Sequence, residues 1–497
     1  MNIVFRIAWK NLMRHRGKSL VIGSILFTGA LIMTVGNAVI SGLDAGLAQN
    51  FRQRMTGDIV VVSTQQLKDN VFFTPMGEPV ESIDQLADVL KVVTANPAVR
   101  HALPVAKGVV TVLNEDSEPS FQMLFGVDFD NYFRTFPDGL QLVEGTLPSG
   151  NTLGLILSTQ SREELFKFAN LWAVPVGEGI VTRNLPAGVT PDSVIRKDQM
   201  VYMGFSDRNT SLDIIAPVRA IGKYAAFNGL WGFFSLIDIQ SYNQCMGYFD
   251  DQEAPIIAEK DQKLLNHSEQ NLDEMLFGNA ETTPISQSTT ATSTATVATT
   301  SSTSGYNLIL VRIDPKQTIP DTILQLNQSF KKQNLPAKAI TWKAALGQVA
   351  QMASLMRAIL FGFVMIVFIV AIIVITNTLS LAAMERITEI GMMRAIGAHR
   401  RFISWLFITE TGVLSIVFGL AGIGVGTLLV MFLRLLHIQA ANNLVELFYG
   451  GTTFKPLLSI TDIGLGILQL VVVTVVSVIY PILIARKISP MDAISRE

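Results

Sequence analysis

The stretch Met384–Ile403, MERITEIGMMRAIGAHRRFI, lies between two of the longest apolar runs in the chain. Ala358–Ala383 precedes it and Leu406–Leu433 follows it. Each run exceeds the roughly 18 apolar residues that a membrane-spanning helix needs. The charged stretch is therefore a tight connection on one side of a membrane, and we interpret it as a helix lying on the membrane surface. A solvated turn that only joins two spans is the alternative that residue types alone leave open.

The overall composition is typical of a membrane protein. The chain has 497 residues, of which 49% are hydrophobic, and a mean hydropathy of +0.39. Its net charge of −2 gives no indication of nucleic-acid binding. Cys245 is the single cysteine, which excludes an intrachain disulfide and a cysteine metal cluster, and no two of the five histidines have metal-ligand spacing. We therefore expect no metal site and no cofactor on this chain.

The apolar pattern predicts an α-helical membrane domain of four transmembrane helices, over residues 20–43, 353–383, 404–437 and 459–485. The first run lacks a good cleavage motif and is longer than a signal-peptide core, so we expect a retained span. Basic residues precede it, and residues 1–19 are predicted to form an amphipathic segment on the membrane. The segments that connect or follow the later spans are the connection at 384–403, a short loop at 438–458 and a tail at 486–497.

Residues 44–352 have a soluble composition and predict a large α+β domain of two subdomains between helices 1 and 2. The strand–helix–strand–strand order of 44–139, completed by 305–352, predicts an α/β subdomain, in which Ser82 and Gln85 form a capping box. The inserted segment 140–281 is expected to be mostly β. The Ser/Thr-rich tract 282–304 predicts a flexible loop, with an O-glycosylated stalk as the alternative.

Lysine and arginine residues near the spans predict the orientation. The N-terminal tail has five of them, the 384–403 connection four, the C-terminal tail three and the short loop only Lys455. Both termini and the connection are therefore expected in the cytoplasm. The large domain and the short loop are expected outside it.

Gly17-Lys18-Ser19 looks like the end of a phosphate-binding loop. Such a loop needs a glycine five positions before the glycine of the GK pair, and Leu12 stands there. We therefore expect no ATP site on this chain and no enzymatic activity of its own.

Polar and small residues inside the spans predict how the spans pack. Glu410 lies about one turn inside the third span, and we expect it to form a structural pair with an arginine of the preceding helix. No run of acidic or histidine residues crosses the membrane, which argues against proton-driven transport. Gly419, Gly422 and Gly426 share one helical face and predict close helix packing.

The order of segments resembles that of ABC-transporter permeases of the MacB/LolC/LolE/FtsX superfamily. It consists of one span, a large external domain and three further spans, with a charged helix between the second and the third span. The resemblance is carried by Arg386, Glu389–Gly391, Arg394-Ala395, Gly397-Ala398, Ile403, Phe407, Glu410 and the three glycines, and at the N-terminus by Ala8, Asn11-Leu12, Arg14 and Lys18–Leu20. The tail is similar in Pro490, Ala493, Ile494 and Glu497, but Ser495 stands where arginine is expected. The external domain matches MacB-like periplasmic domains and lipoprotein-releasing permeases only in layout.

The resemblance implies a mechanotransmission mechanism. Segment 384–398 would be the coupling helix that binds a separate ABC ATPase dimer, with ATP and Mg²⁺ bound by that partner. The coupling residues implied are Glu385, Arg386, Glu389, Gly391, Arg394, Gly397 and Ala398. The first and second spans would relay the motion of the ATPase to the external domain. A second permease copy or a paralogue would complete the complex, in a bacterial cytoplasmic (inner) membrane with the large domain in the periplasm or outside.

Three functions are consistent with this resemblance. The first is extraction of lipoproteins for transfer through a periplasmic carrier to the outer membrane, with acyl chains in an apolar groove between the first and second spans. We prefer it because MacB-like permeases often carry a fused ATPase, and we expect no ATP site in these residues. The second is MacB-like efflux of small molecules or peptides with an adaptor and an outer-membrane channel. The third is regulation of cell-wall hydrolases, as in FtsX, and a sensor or scaffold outside the ABC class is the remaining alternative.

Overall fold

The computed structural model describes residues 2–14, 16–74, 79–113, 120–150, 152–204, 213–248 and 305–487. The Ser/Thr-rich tract 282–304 and the tail residues from 488 onward lie outside the described residues. The predictions made for them stay predictions.

The helices are α1 (Asn2–Arg14), α2 (Arg16–Phe51), α3 (Leu86–Ala95), α4 (Phe129–Thr135), α5 (Thr159–Ala169), α6 (Asn228–Trp231), α7 (Ile239–Cys245), α8 (Ile319–Lys332), α9 (Trp342–Leu346), α10 (Gln348–Glu385), α11 (Ile387–Ala395), α12 (Arg400–Leu414), α13 (Leu420–Leu435), α14 (Asn443–Tyr449) and α15 (Ile460–Lys487). The strands are β1 (Ile59–Ser63), β2 (Val99–Leu113), β3 (Ser120–Val127), β4 (Leu140–Gly145), β5 (Leu155–Ser158), β6 (Leu171–Ala173), β7 (Ile195–Lys197), β8 (Gln199–Gly204), β9 (Asp213–Tyr224), β10 (Phe234–Asp238), β11 (Leu308–Ile313) and β12 (Ala337–Thr341).

Four helical segments are long and apolar enough to cross a membrane: Ser19–Thr56, Gln348–Glu385, Arg400–Leu435 and Ile460–Arg486. A large mixed α/β domain lies between the first and the second of them. The fold class predicted from the sequence is therefore confirmed. We call the two ends of this bundle the basic end, where α1 and α11 lie, and the domain end, where the large domain lies.

The charged connection is not one surface helix over 384–403, as the sequence suggested. The helix α10 continues to Glu385, and α11 then occupies only nine residues. Gly397 has a φ of 101°, a conformation that favours glycine, and this turn separates α11 from the third span, which begins at Arg400. A π turn, Ser415–Gly419, joins α12 to α13 inside that span.

The large domain is built on a ten-stranded sheet in the order β12-β1-β11-β2-β3-β10-β5-β9-β4, with β8 paired to β2 and β9. The first half of β2 pairs with β11 and its second half with β3. Because β3 also pairs with β10 of the inserted segment, the described strands show no break at the predicted boundary between residues 139 and 140. The long strand β2 joins the two halves of the domain.

The predicted capping box at the start of α3 is wrong. The helix begins at Leu86, and Gln85 precedes it with a φ of 53° and no side-chain capping hydrogen bond. A capping box would need Ser82 as the residue before the helix, but the helix starts three residues later, after Gln85 in the left-handed backbone conformation.

The domain core includes both of the spans that border the domain. Leu47 and Phe51 of α2 and Met356 of α10 belong to one hydrophobic cluster with residues of the sheet. The ring of Phe51 stacks on Phe227 at a centroid distance of 4.6 Å and lies 6.0 Å from Trp342. The two spans therefore end inside the domain rather than in flexible linkers.

Candidate functional site at the basic end

Arg386 forms the corner between α10 and α11. Its Nη1 donates hydrogen bonds to both carboxylate oxygens of Glu410, at 2.9 Å and 3.0 Å. The two side chains are only 13% and 10% exposed, so water screens the pair weakly. This charge-assisted pair attaches the start of α11 to the third span.

A second contact attaches α11 to the N-terminal helix. Arg14, the last residue of α1, lies 3.5 Å from Glu389 in the first turn of α11. The pair is exposed and contributes little by itself. Packing contributes more, because Ala8 and Leu12 of α1 are buried and α1 lies along α12. The short helix α11 is therefore held by both α1 and the third span.

The outer surface of α11 is partly apolar. Ile390 and Gly391 are buried against the protein, whereas Met392 is 63% exposed and Ile396 is 87% exposed. Adjacent exposed apolar side chains on a charged surface are typical of a protein-binding site. Reasoning from the sequence missed these two residues, although their i, i+4 spacing beside Arg394 was the available signal.

The residues predicted for coupling fall on three local structures. Glu385 is the exposed last residue of α10, and Arg386 is the corner. Glu389, Gly391 and Arg394 lie on α11, and Gly397 and Ala398 form the turn before α12. Arg386 pairs with Glu410 of the third span, and Glu389 pairs with Arg14 of α1. The face of α11 with Met392 and Ile396 completes the candidate site.

Gly17 and Ser19 lie in the first turns of α2. The hydroxyl of Ser19 donates to the carbonyl oxygen of Leu12 at 3.2 Å. A phosphate-binding loop instead follows a strand and directs several backbone N–H groups at the ligand. This segment therefore has a structural role in joining α1 to α2. Among the described residues, no group of three or more His, Cys, Asp or Glu side chains is placed to hold a metal ion.

Glycines bring the spans into close contact. A Cβ at Gly422 would lie 2.3 Å from the carbonyl oxygen of Phe27, and one at Gly426 would lie 3.0 Å from Thr34, so α13 packs directly on α2. A Cβ at Gly419 would meet Leu470 on α15 instead. The three glycines therefore contact two different helices.

The first and second spans also touch each other directly. A Cβ at Gly36 would lie 2.5 Å from Val364, and one at Gly29 would lie 3.7 Å from Ala371. No apolar groove separates the two spans at these levels. The acyl-chain groove expected from the resemblance is therefore not formed there.

The short loop between the third and fourth spans is attached to the large domain. Glu446 of α14 accepts a hydrogen bond from the backbone N–H of Phe227 at 2.6 Å, and burial raises the pKa of this carboxyl. Asn50 donates to the carbonyl oxygen of Gly450 at 2.6 Å, which ties the loop to the extension of α2. The loop links the third and fourth spans to the same domain that holds the first two.

Residues 361–490 match the family model described as FtsX-like permease C-terminal. An uncharacterized ABC transporter permease from Methanocaldococcus jannaschii is 25% identical over 126 residues, which are 25% of this chain and 32% of that protein. The pyoverdine export ATP-binding/permease protein PvdT from Pseudomonas fluorescens is 31% identical over 134 residues, which are 27% of this chain and 20% of that protein. The chain thus spans a third or less of the length of these relatives. The matched residues hold most of the second span, the charged connection and the third and fourth spans, and this part of the chain is similar to the FtsX-like C-terminal domain of ABC-transporter permeases.

Proposed function

We propose that this chain is the permease subunit of an ABC transporter in which a separate ATPase subunit hydrolyses ATP. Movement of that subunit at α11 passes through α2 and α10 to the external domain. The observation that carries the proposal is that α2 and α10 are continuous helices from the basic end of the bundle to the core of the domain.

The lengths of these helices support a mechanical role. The 36 residues of α2 and the 38 residues of α10 extend roughly 54 Å and 57 Å at about 1.5 Å per residue. A hydrocarbon core is about 30 Å thick, so each helix projects well beyond it. Because Phe51 is packed in the domain core, a displacement of α2 moves the domain as a rigid body.

The docking role of α11 follows from its surface and its attachments. Exposed Met392 and Ile396 provide an apolar contact, and the pair of Arg386 with Glu410 transmits force to the third span. The ATPase acts as a dimer that binds ATP and Mg²⁺. A second permease copy or a paralogue then presents an equivalent α11 to the other half of the dimer.

The basic end is placed in the cytoplasm in this proposal. The support is the excess of Lys and Arg in residues 1–19 and 384–403 over the short loop at the domain end. The large domain then faces the periplasm or the exterior of a bacterial inner membrane.

Release of lipoproteins from the membrane to a periplasmic carrier is the substrate class that we favour. The support is the layout of one span, a large external domain and three further spans. Acyl chains would lie on the face of α10 that exposes Ile359, Phe363 and Ile366, since α2 covers the opposite face. Export with an adaptor and an outer-membrane channel is the second candidate, and its support is the similarity to a protein named for pyoverdine export.

Purification of the full chain from native membranes, followed by identification of the bound proteins, tests the proposal. We expect an ATPase subunit in the complex. A bound lipoprotein supports release from the membrane, and a bound adaptor supports export. A chain that never copurifies with an ATPase contradicts the proposal.

A further inference from the structure

A basic cavity of about 810 Å³ opens beside α11 at the basic end. The turn after α11, the first turn of α12 and the end of α15 form it. Its polar lining includes Arg394, His399, Arg400, Arg401 and Arg486. Four guanidinium groups therefore share one concave surface, and its described lining contains no carboxylate.

Three of these arginines, Arg400, Arg401 and Arg486, form no ion pair within the described part of the chain. The nearby carboxylates of Glu389 and Glu410 already pair with arginines of α1 and of the α10 corner. Like charges that line one concave surface repel one another, and an anionic group in the cavity relieves the repulsion. The cavity is therefore suited to a ligand that carries several negative charges.

The depth of the cavity decides between a lipid headgroup and a protein. The apolar run of the third span begins at Leu406, six residues after Arg400. Arg400 therefore lies roughly 9 Å beyond the apolar boundary. Headgroups add only about 5–8 Å to each side of the hydrocarbon, so this side of the cavity faces water.

We propose that this cavity binds a cluster of aspartate and glutamate side chains on the ATPase subunit. The inference rests on the proposed function and deepens it, because it names the chemistry of the partner surface. Arginine pairs with carboxylate through two parallel hydrogen bonds. The exposed Met392 and Ile396 form the apolar centre of the docking surface, and the arginines form its charged margin.

The experiment measures binding of the ATPase subunit to the full chain in nanodiscs over a series of salt concentrations. The variants are R400Q/R401Q, R486Q and the triple variant R400Q/R401Q/R486Q. Each exposed ion pair is weak by itself, but the loss of three together is expected to weaken binding of the triple variant roughly tenfold at low salt. The dependence of log Kd on log salt is also expected to become shallower. The matched control is R434Q, an exposed arginine at the domain end, which leaves both quantities unchanged.

Three results overturn the inference. One is an unchanged salt dependence in the triple variant while E389K, on α11 itself, still weakens binding; that result leaves the proposed function intact. Another is a triple variant that no longer binds phosphatidylglycerol vesicles but keeps the affinity of the parent chain for the ATPase subunit. The third is a parent chain whose binding of the ATPase subunit depends on salt only after residues 488–497 are removed. That result would mean that Asp492 or Glu497 of the chain itself occupies the cavity. If the unmodified chain fails to bind the ATPase subunit at all, the proposed function itself fails.

Discussion

Arg386 and Glu410 form a two-hydrogen-bond ion pair between the corner that begins α11 and the first half of the third span. Removing one partner leaves a largely buried charge without compensation. We expect E410A to reduce the free energy of unfolding by about 2–4 kcal/mol, measured by thermal unfolding in detergent. In the double variant R386M/E410M no charge is left, and most of the stability should return. Additive losses in the double variant would contradict the structural role of the pair.

Glu389 and Gly397 test the docking of α11. We expect E389K and G397W to abolish substrate-stimulated ATP hydrolysis by the assembled complex. The first reverses a half-buried charge of α11 that lies 3.5 Å from Arg14, and the second places a large side chain where φ is 101° and favours glycine. E163K, an exposed charge reversal on the external domain, is the control and should retain stimulation. Normal hydrolysis and transport in both variants would argue against a docking role.

Phe51 tests the transmission of motion to the domain. Its ring is buried in an aromatic cluster with Phe227 and Trp342. F51L keeps a similar volume but loses the stacking, so we expect a folded protein in which ATP hydrolysis continues and transport falls severalfold. F361L, on the lipid-facing side of α10, is the control. Equal loss of hydrolysis and transport in F51L would indicate damage to docking rather than to transmission.

Gly422 and Gly424 provide a matched pair for span packing. A Cβ at position 422 would lie 2.3 Å from a backbone oxygen of α2, whereas a Cβ at position 424 meets nothing within 4 Å. We expect G422A to reduce the stability of the bundle by about 1–3 kcal/mol, because two backbones must separate. G424A should be neutral or slightly stabilising. The measurement is thermal unfolding in one detergent, and equal stability of the two variants would contradict the packing.

Lys107 predicts a pH dependence of domain stability. Its buried Nζ donates to the carbonyl oxygen of Val71 and to the hydroxyl of Thr74, each at 2.8 Å, and burial lowers the pKa of this amine to about 7. Between about pH 7 and the ordinary value of 10.5, the unfolded chain binds the proton and the folded chain does not. Stability should therefore rise with pH over this window, by at most about 1.4 kcal/mol per unit.

K107M should flatten this rise, since the variant has no amine to titrate. The exposed K331M is the control and should keep it. Thermal unfolding measured at several pH values in the window checks the prediction. An identical pH dependence in K107M and the parent chain would show that another group causes it.

The four spans and the resemblance to ABC-transporter permeases were readable from the sequence because they depend on local properties. About 20 consecutive apolar residues partition into lipid wherever the rest of the chain goes, so the apolar run 358–383 indicated a span, and it lies within α10 (Gln348–Glu385). The pattern from Arg386 to Gly426 likewise lies in one segment. The extent of α11 was less predictable, because Gly397 and the corner at Arg386 shorten it in a way that composition does not specify.

The contacts between distant segments were decided only by the tertiary structure. No pattern in the sequence indicates that Phe227 donates to Glu446, 219 residues away, or that Phe51 stacks on Phe227. The joining of the two domain halves by β2 also depends on strand pairing between segments far apart in the chain. Such contacts form because folding buries apolar surface and satisfies polar groups across the whole chain. The free energy of these contacts depends on residues far apart in the sequence, so no single stretch of residues predicts them.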